Sequence, residues 1–504
     1  MGETILPLSG EENESVAVDT FGGRVHVEWD PAGAATPLGQ LAFFIEFLKV
    51  GGLYEPWVKE CPLQYSSPNA PEVRDVLGTV LLSVLAGHKR YAHITSIRCD
   101  SVNPDLLGMD KVMSEDAVRR ALIQMDERLG VEWLQRHIQD SVEALFVQPW
   151  ILDMDTTVKP LYGHQEGAVV GYNPRKPGRP SHTYHSYMMA NTRLILDVEV
   201  QAGNHSAASY GVGGLWELLE RIPKASWPVF LRGDISWGSE SFMSRAEEKG
   251  ISYLTKLRLT RNVKRYIEKV FMNGEWADAG NGWEGLDGSL TLTGWSRSRR
   301  VIVLRRALTG EVIIKKETDD QQQLGFIEAG GPVKYYEYAV LVTSLVDEIY
   351  TIAQYYRDRA DSENNFDELK NQWGWGGFTT KDLKRCRIMA RTVALIYNWW
   401  SLFVRLANPD KHLEAVTSRP LLLHAVGKQT RHGGQTTVTI TSTHAKKGKI
   451  QKALKGLNHF LQTLKSNAEQ LTQVQRWRII LNQAFIKFLK GKPLYPLNIL
   501  PAPS

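Results

Sequence analysis

Cysteine is scarce in this chain. Cys61, Cys99 and Cys386 are the only three in 504 residues, and none forms a CxxC pair. Their isolation excludes a disulfide framework and a cysteine-based zinc site, and it fits a reducing cytosol. Long apolar runs are missing as well: no stretch approaches the roughly 18 residues that a membrane span needs. The opening MGETILPLSGEENES is acidic and polar, which argues against a secretory leader. Its Met-Gly start resembles a myristoylation signal only superficially. There is no GxxxxGK loop for nucleotide phosphates, no HExxH and no GxSxG elbow, so ATP-driven and common hydrolase chemistries find no support. Internal repeats and low-complexity tracts are absent too. Acidic residues nearly vanish towards the end: residues 381–504 hold 4 Asp+Glu against 21 Lys+Arg.

That last absence is one side of a strong asymmetry. Residues 1–145 hold 12 Lys+Arg against 22 Asp+Glu, and residues 146–380 hold 27 against 29. A C-terminal region so basic repels itself unless a polyanion is near, and its amphipathic patterning makes nucleic acid a better partner than solvent. A chain of this length exceeds one compact core, so about two to four domains are expected.

Texture divides the chain. Residues 1–37 read as extended, with VAVDTFGGRVHVEWD as a hairpin around Gly22-Gly23. Apolar residues at three- and four-residue spacing predict helices through residue 146, and Ser114 before Glu115-Asp116 reads as an N-cap. Arg119 and Arg120, near the start of that helix, suit either a DNA groove or a solvated bundle surface. From Val147 the order becomes strand, strand, strand, helix, strand, helix, strand, ending near residue 257. Residues 258–345 are rich in Gly, Thr, Val and Trp and read as an all-β insertion. Helix returns from Asp347 to residue 380. Residues 381–504 read as basic helices, with RHGGQTTVTITSTHAKKG as a hairpin or loop.

Three acidic positions stand out. Asp153 and Asp155, in ILDMDTT, close an apolar strand and share a face by their spacing of two. Asp234 follows the buried run PVFLRG directly. Glu363 lies in YYRDRADSENNFDELKNQWGWGG with Tyr356, Arg359 and Lys370. On one continuous helix those four side chains fall within a stripe about 60° wide. A carboxylate there can hold a divalent ion while phenol, guanidinium and ammonium hold phosphate oxygens.

The spacing Tyr-x2-Arg-x3-Glu-x6-Lys resembles the YREK signature of DDE transposases from bacterial insertion sequences, the insertion-sequence-4 superfamily. LDMDTT resembles the first-aspartate motif of those enzymes, and LRGDISW resembles the second, with an aromatic three residues after the Asp. PLYGHQEGAVVGYNPRKPGRPSHTYH looks like the insertion-sequence-1380-like group. The resemblance covers residues 147–380 firmly and the C-terminal helices loosely.

It implies an α/β ribonuclease-H-like catalytic core with an all-β insertion, flanked by mainly α-helical N- and C-terminal domains. The implied division is 1–146 for DNA-end binding, 147–257 and 346–380 for the core, 258–345 for the insertion, and 381–504 for DNA binding or dimerisation. It implies a triad of Asp155, Asp234 and Glu363 holding two Mg²⁺ ions, with Mn²⁺ as substitute, and Asp153 as rival for the first position. Tyr356, Arg359 and Lys370 would grip phosphates beside the scissile bond. It also implies double-stranded DNA as partner, both terminal inverted repeats and target, with a homodimer in the DNA complex. A bacterial, nucleoid-associated cytoplasmic protein without membrane or nucleotide cofactor would result. A nuclease of the same fold without strand transfer, or an inactive DNA-binding relic, are the other readings.

Further DNA candidates come from the residues themselves. Arg175, Lys176 and Arg179 lie in a Pro/Gly loop that cannot bury them. Lys446, Lys447, Lys449, Lys452 and Lys455 form a basic run suited to phosphates. Trp237 could stack on a flipped base or sit in the core, and the same choice applies to Trp283 and Trp295. His164, His182 and His185 have no standard zinc spacing and read as polar residues of the core or cleft.

Overall fold

In the computed structural model, the described residues are 15–30, 33–65, 67, 69–173, 176–271, 274–308, 322–326, 334–442, 445–467 and 470–490. Side chains of residues 208, 209, 322–326, 334 and 361–363 fall outside that description. An 11-stranded mixed sheet runs through the middle of the chain. Its centre is five strands: the first core strand Ile151–Pro160, the second Pro180–Met189, the third Leu194–Ala202, the fourth Phe230–Gly233 and the fifth Ser252–Leu257. The first three form an antiparallel meander. The fourth lies parallel to the first, on its other side, and the fifth parallel to the fourth. The parallel steps need crossovers, and the helices Val212–Glu220 and Glu240–Lys249 supply them. Apart from a short added strand, Val169–Val170, the expected order of elements is the observed one.

The insertion departs from expectation in two ways. It contains a helix, Arg261–Phe271. Its buried residues Val263, Ile267 and Phe271 stand four apart, a helical stripe that outweighs the strand-rich sequence around it. Nor do its strands form a sheet of their own. Lys334–Thr343 pairs antiparallel with the fifth core strand, and Arg299–Ala307, Trp283–Leu290 and Ala277–Gly280 follow outward. An exposed edge on the fifth strand would be a liability, and Val340 to Thr343 cover it.

The helices on either side of the sheet in sequence share one core. Leu383–Ala407 is buried nearly all round. Phe44 and Phe47, from the helix Leu41–Gly51, pack against Phe403 at centroid separations of 5.3 and 5.9 Å. Trp57 stacks on Trp133 and meets Trp399 edge-on. The same long helix grips the sheet: the Asn398 side-chain amide accepts from the Ile195 N–H at 2.9 Å and donates to the Ile195 carbonyl at 2.7 Å. Arg391, two turns earlier on the same face of that helix, pairs with the buried Asp197 at 2.9 Å. Among the described residues no helix is long and apolar enough to cross a membrane.

The expected hairpin Val16–Thr20 with Gly23–Val27 forms, and the segment read as hairpin or loop is a hairpin, Gly427–His432 with Gln435–Ile440. Ser114 caps its helix by accepting from the Ala117 N–H. Arg119 is engaged within the fold, near Glu115 and Asp116 and over the Tyr91 ring at 5.2 Å. Arg120 is exposed.

Candidate active site

Met154 pairs with Gly233 in the parallel register of the first and fourth core strands. Asp155 and Asp234 directly follow this pair, so the register sets the two carboxylates side by side. Carboxylates buried at a strand end are costly without compensation, and neighbouring donors supply it here. Asp155 is 8% exposed; its Oδ1 accepts from the Thr156 N–H at 2.7 Å and its Oδ2 from Arg359 Nη1 at 3.1 Å. Asp234 is half-buried and caps the turn Ile235–Trp237, its Oδ1 accepting from the N–H and the hydroxyl of Ser236.

Asp153 has a different fate. Its carboxylate accepts two bonds from Arg232, at 2.5 Å from Nε and 2.8 Å from Nη2, and both residues are 1% exposed. A bidentate, buried pair of this kind leaves Asp153 little capacity for another cation. Asp155 differs in its partner: it shares Arg359, which lines the cleft described below.

Arg232 reaches one step further and donates from Nη1 to the Tyr355 carbonyl. In an unbroken helix that carbonyl would accept from the Arg359 N–H. The Arg359 N–H turns instead to Tyr356 O, at 3.2 Å. The expected single helix is accordingly two: Ile349–Arg357 and Ala360–Gln372, with a break at Asp358-Arg359. A side chain inserted into the helical ladder is a recognised cause of such a break. The uniform stripe expected of Tyr356, Arg359, Glu363 and Lys370 is corrected to match.

Across the break, Tyr356 and Arg359 still converge on the aspartates. Arg359 is 9% exposed, with its guanidinium 5.8 Å from the Tyr356 ring centre. Burial pushes the Tyr356 phenol up to about 12; Arg359 opposes that shift, and the charges of Asp234 and Asp155 add to it. The phenol therefore keeps its proton at neutral pH and can donate. A cleft of about 380 Å³ is lined by Asp234, Tyr356, Arg359, Lys256 and Trp283 among others. Lys370 Nζ donates to Thr157 Oγ1 at 2.9 Å and to the Val158 carbonyl at 3.0 Å, fastening its helix to the first core strand two residues beyond Asp155. Glu363 lies on the Ala360–Gln372 helix, and its side chain falls outside the described residues.

Among the described residues no group of three or more His, Cys, Asp or Glu is placed to hold a metal ion. The two aspartates nonetheless fit a divalent ion in kind, as hard carboxylate oxygens on adjacent strand ends.

The other candidates divide by exposure. Trp237 has no exposed surface and packs edge-on against Tyr187 and Phe242, so base stacking is corrected to a core role. Its short spacing from Asp234 fixes its place: the ring lies over Gly233, where a Cβ would come within 2.7 Å of Trp237 Cβ. Trp283 is half-buried under Arg306 at 4.9 Å, and Trp295 under Arg299 at 5.2 Å. Lys176 and Arg179 are exposed and cluster over the Tyr162 ring at 5.0 and 4.8 Å. Arg175 lies outside the described residues. Lys446, Lys447 and Lys449 are exposed at the start of the helix Lys447–Ser466, whose other face buries Ile450, Leu454 and Leu457. His182 and His185 are buried, bonded to the Glu166 carbonyl at 2.8 Å and to Thr156 Oγ1 at 3.0 Å, while His164 is exposed.

Two contributors were not legible from spacing. Arg232 reads in sequence as one more strand residue, although an arginine inside the apolar run PVFLRG is itself a signal of a buried partner. Lys256, on the cleft wall, had only the alternation of ISYLTKLR to mark it.

A family model described as transposase DDE domain group 1 matches residues 69–462. None of the curated proteins matches in sequence. Among solved structures, the cryo-EM structure of the piggyBac transposase synaptic complex with hairpin DNA is similar over 93% of this chain and 87% of that one, at 11% identity and a TM-score of 0.37.

Proposed function

The chain belongs to the transposase DDE domain group 1 family, and on that premise we propose that it cuts DNA at the ends of a bacterial insertion sequence and joins the freed 3′ ends to target DNA. The observation that carries this reading is the Met154–Gly233 register, which sets Asp155 beside Asp234 with Tyr356 and Arg359 over them. The strand order third, second, first, fourth, fifth supports a ribonuclease-H-like core. Tyr356, Arg359, Glu363 and Lys370 support the YREK branch and its insertion-sequence-1380-like group.

Asp155, Asp234 and Glu363 are the proposed ligands of two Mg²⁺ ions, with Mn²⁺ able to replace them. When bound, such ions supply Lewis-acid stabilisation of charge on the scissile phosphate. The side chains divide the remaining work. Arg359, already shared with Asp155, holds a phosphate oxygen and limits how far the substrate can shift. Tyr356 donates its retained proton to a second oxygen. Lys370 holds the glutamate-bearing helix on the first core strand and, in this reading, also serves phosphate. Water is the first nucleophile and the 3′-OH the second, so one site serves both steps.

Residues 1–146 are proposed to bind the terminal repeats, and residues 381–504 to bind DNA and contribute to a homodimer on paired ends. Lys176, Arg179 and Arg175 would hold the DNA backbone. The protein would act in the bacterial cytoplasm at the nucleoid. For Lys446, Lys447 and Lys449, replacement of all three by alanine should weaken binding to any duplex alike. The slope of log affinity against log salt should flatten by roughly 0.9 for each phosphate no longer neutralised. An unchanged slope would remove these lysines from the interface.

The test of function uses labelled duplex carrying the element's own end, with Mg²⁺ or Mn²⁺. Wild type should nick and join to a target plasmid, while Glu363→Gln binds and does neither. Nicking without joining would favour a nuclease. Binding without metal-dependent cleavage would make the chain a DNA-binding relic.

A further inference from the structure

The ribbon Gly427–His432 with Gln435–Ile440 has two unlike faces. Its register pairs Lys428 with Thr439, Thr430 with Thr437 and His432 with Gln435, so these six share one face. All six are exposed. The opposite face is fastened to the body of the protein. Arg431 and Gln429 both hold Asp105, at 2.6 and 2.8 Å, and Gly427 pairs with Thr36 in a short third strand.

A solvated polar face is the ordinary outcome for such a ribbon. Three observations argue for more. The exposed face carries only an ammonium, an imidazole, an amide and three hydroxyls, with no carboxylate and no large apolar group. From residue 415 to residue 468 the chain contains no Asp or Glu and nine Lys+Arg. Surfaces that only face water ordinarily mix both signs. The ribbon's end is also slim: Gly433 and Gly434, at φ 54° and 78°, close it in two residues with no side chain at the tip.

We infer that this ribbon enters the major groove of duplex DNA with the Lys428–Thr439 face towards the bases. The inference rests on the DNA-processing reading above and deepens it by naming a surface that reads sequence. The dimensions agree: two strands lie about 4.8 Å apart, and a groove about 12 Å wide and about 8.5 Å deep admits a two-stranded ribbon. Chemistry agrees as well. Lysine pairs with guanine O6 and N7, glutamine with adenine N6 and N7, and threonine offers both a hydroxyl and a methyl for thymine. The ribbon's docked face keeps it at a fixed place on the protein. The basic helix Lys447–Ser466, which follows it closely in sequence, is suited to backbone phosphates.

The test measures anisotropy of two labelled duplexes, one of mixed sequence and one carrying the element's end, with guanine-N7 methylation interference on the second. The variants are Lys428→Ala/His432→Ala/Gln435→Ala and, separately, Thr437→Glu. Both change exposed residues only, and thermal melting checks that each folds. The expected result is a loss of affinity for the end duplex of roughly 10- to 100-fold, together with loss of interference at particular guanines. Thr437→Glu, which adds a repelling charge without removing a side-chain bond, should do the same if the triple variant fails to fold. Wild-type affinity and an unchanged interference pattern in folded Thr437→Glu would overturn the ribbon's role. Failure of wild type itself to bind or cut any duplex would instead overturn the DNA-processing reading.

Discussion

Asp234→Asn is expected to lower single-turnover DNA cleavage by about three orders of magnitude or more, while folding and duplex binding stay close to wild type. The reason is a separation of roles within one side chain. Oδ1 of Asp234 accepts from the N–H and hydroxyl of Ser236. Asparagine keeps that oxygen, so the cap on the turn Ile235–Trp237 survives. What is lost is the charge that would hold a divalent ion against the scissile phosphate, and several kcal/mol of transition-state stabilisation with it; each 1.4 kcal/mol is about tenfold in rate. Asp155→Asn should silence cleavage too, but it is a poorer probe. It removes a charge partner of the buried Arg359 and so perturbs the fold as well. A thermal-shift series with Mn²⁺ adds an independent reading: the ion should stabilise wild type and leave Asp234→Asn nearly unmoved. Cleavage by Asp234→Asn within tenfold of wild type would remove Asp234 from the site.

The second large effect lies away from the proposed metal ligands. Asp153→Ala should destabilise the protein by about 3–5 kcal/mol, because it strands Arg232 as a buried, unpaired charge. Urea denaturation would register this as a lower midpoint at unchanged slope. Stability and activity can then be separated. Asp153→Ala combined with Arg232→Met removes both buried charges and leaves apolar groups in their place, and much of the stability should return. Cleavage should not return. Without Arg232 the Tyr355 carbonyl is open to the Arg359 N–H, the two helices tend to fuse, and Arg359 turns away from Asp155. A double variant that is both stable and fully active would show that the break at Asp358-Arg359 does not position the site. If Asp153→Ala instead abolished cleavage with no change in stability, Asp153 would have to be reconsidered as a metal ligand.

The elements of the core were legible because they are local. Alternating and helical apolar periods, caps such as Ser114 and turn glycines such as Gly433-Gly434 act over a few residues, and they appear in the structure where the sequence places them. The helix Arg261–Phe271 shows the limit of the same rule, since its stripe of Val263, Ile267 and Phe271 was present but stood among stronger strand signals. Charge asymmetry, the scarcity of cysteine and the spacing of Asp155, Asp234 and the Tyr356–Lys370 run were likewise readable without coordinates.

What only the tertiary structure decided were pairings between distant residues. Asp153 and Asp155 carry the same side chain two positions apart. They differ because Arg232, 79 residues on, meets the first, while Arg359, 204 residues on, meets the second. The helix break has the same origin, a guanidinium from another strand competing for one carbonyl. Trp237 is denied to DNA by Tyr187 and Phe242, which no local pattern brings to it. The insertion's strands extend the core sheet because the fifth strand would otherwise expose its hydrogen-bonding edge. Sequence period determines which face an element buries; which neighbour lies against that face depends on packing and electrostatics summed over the folded chain.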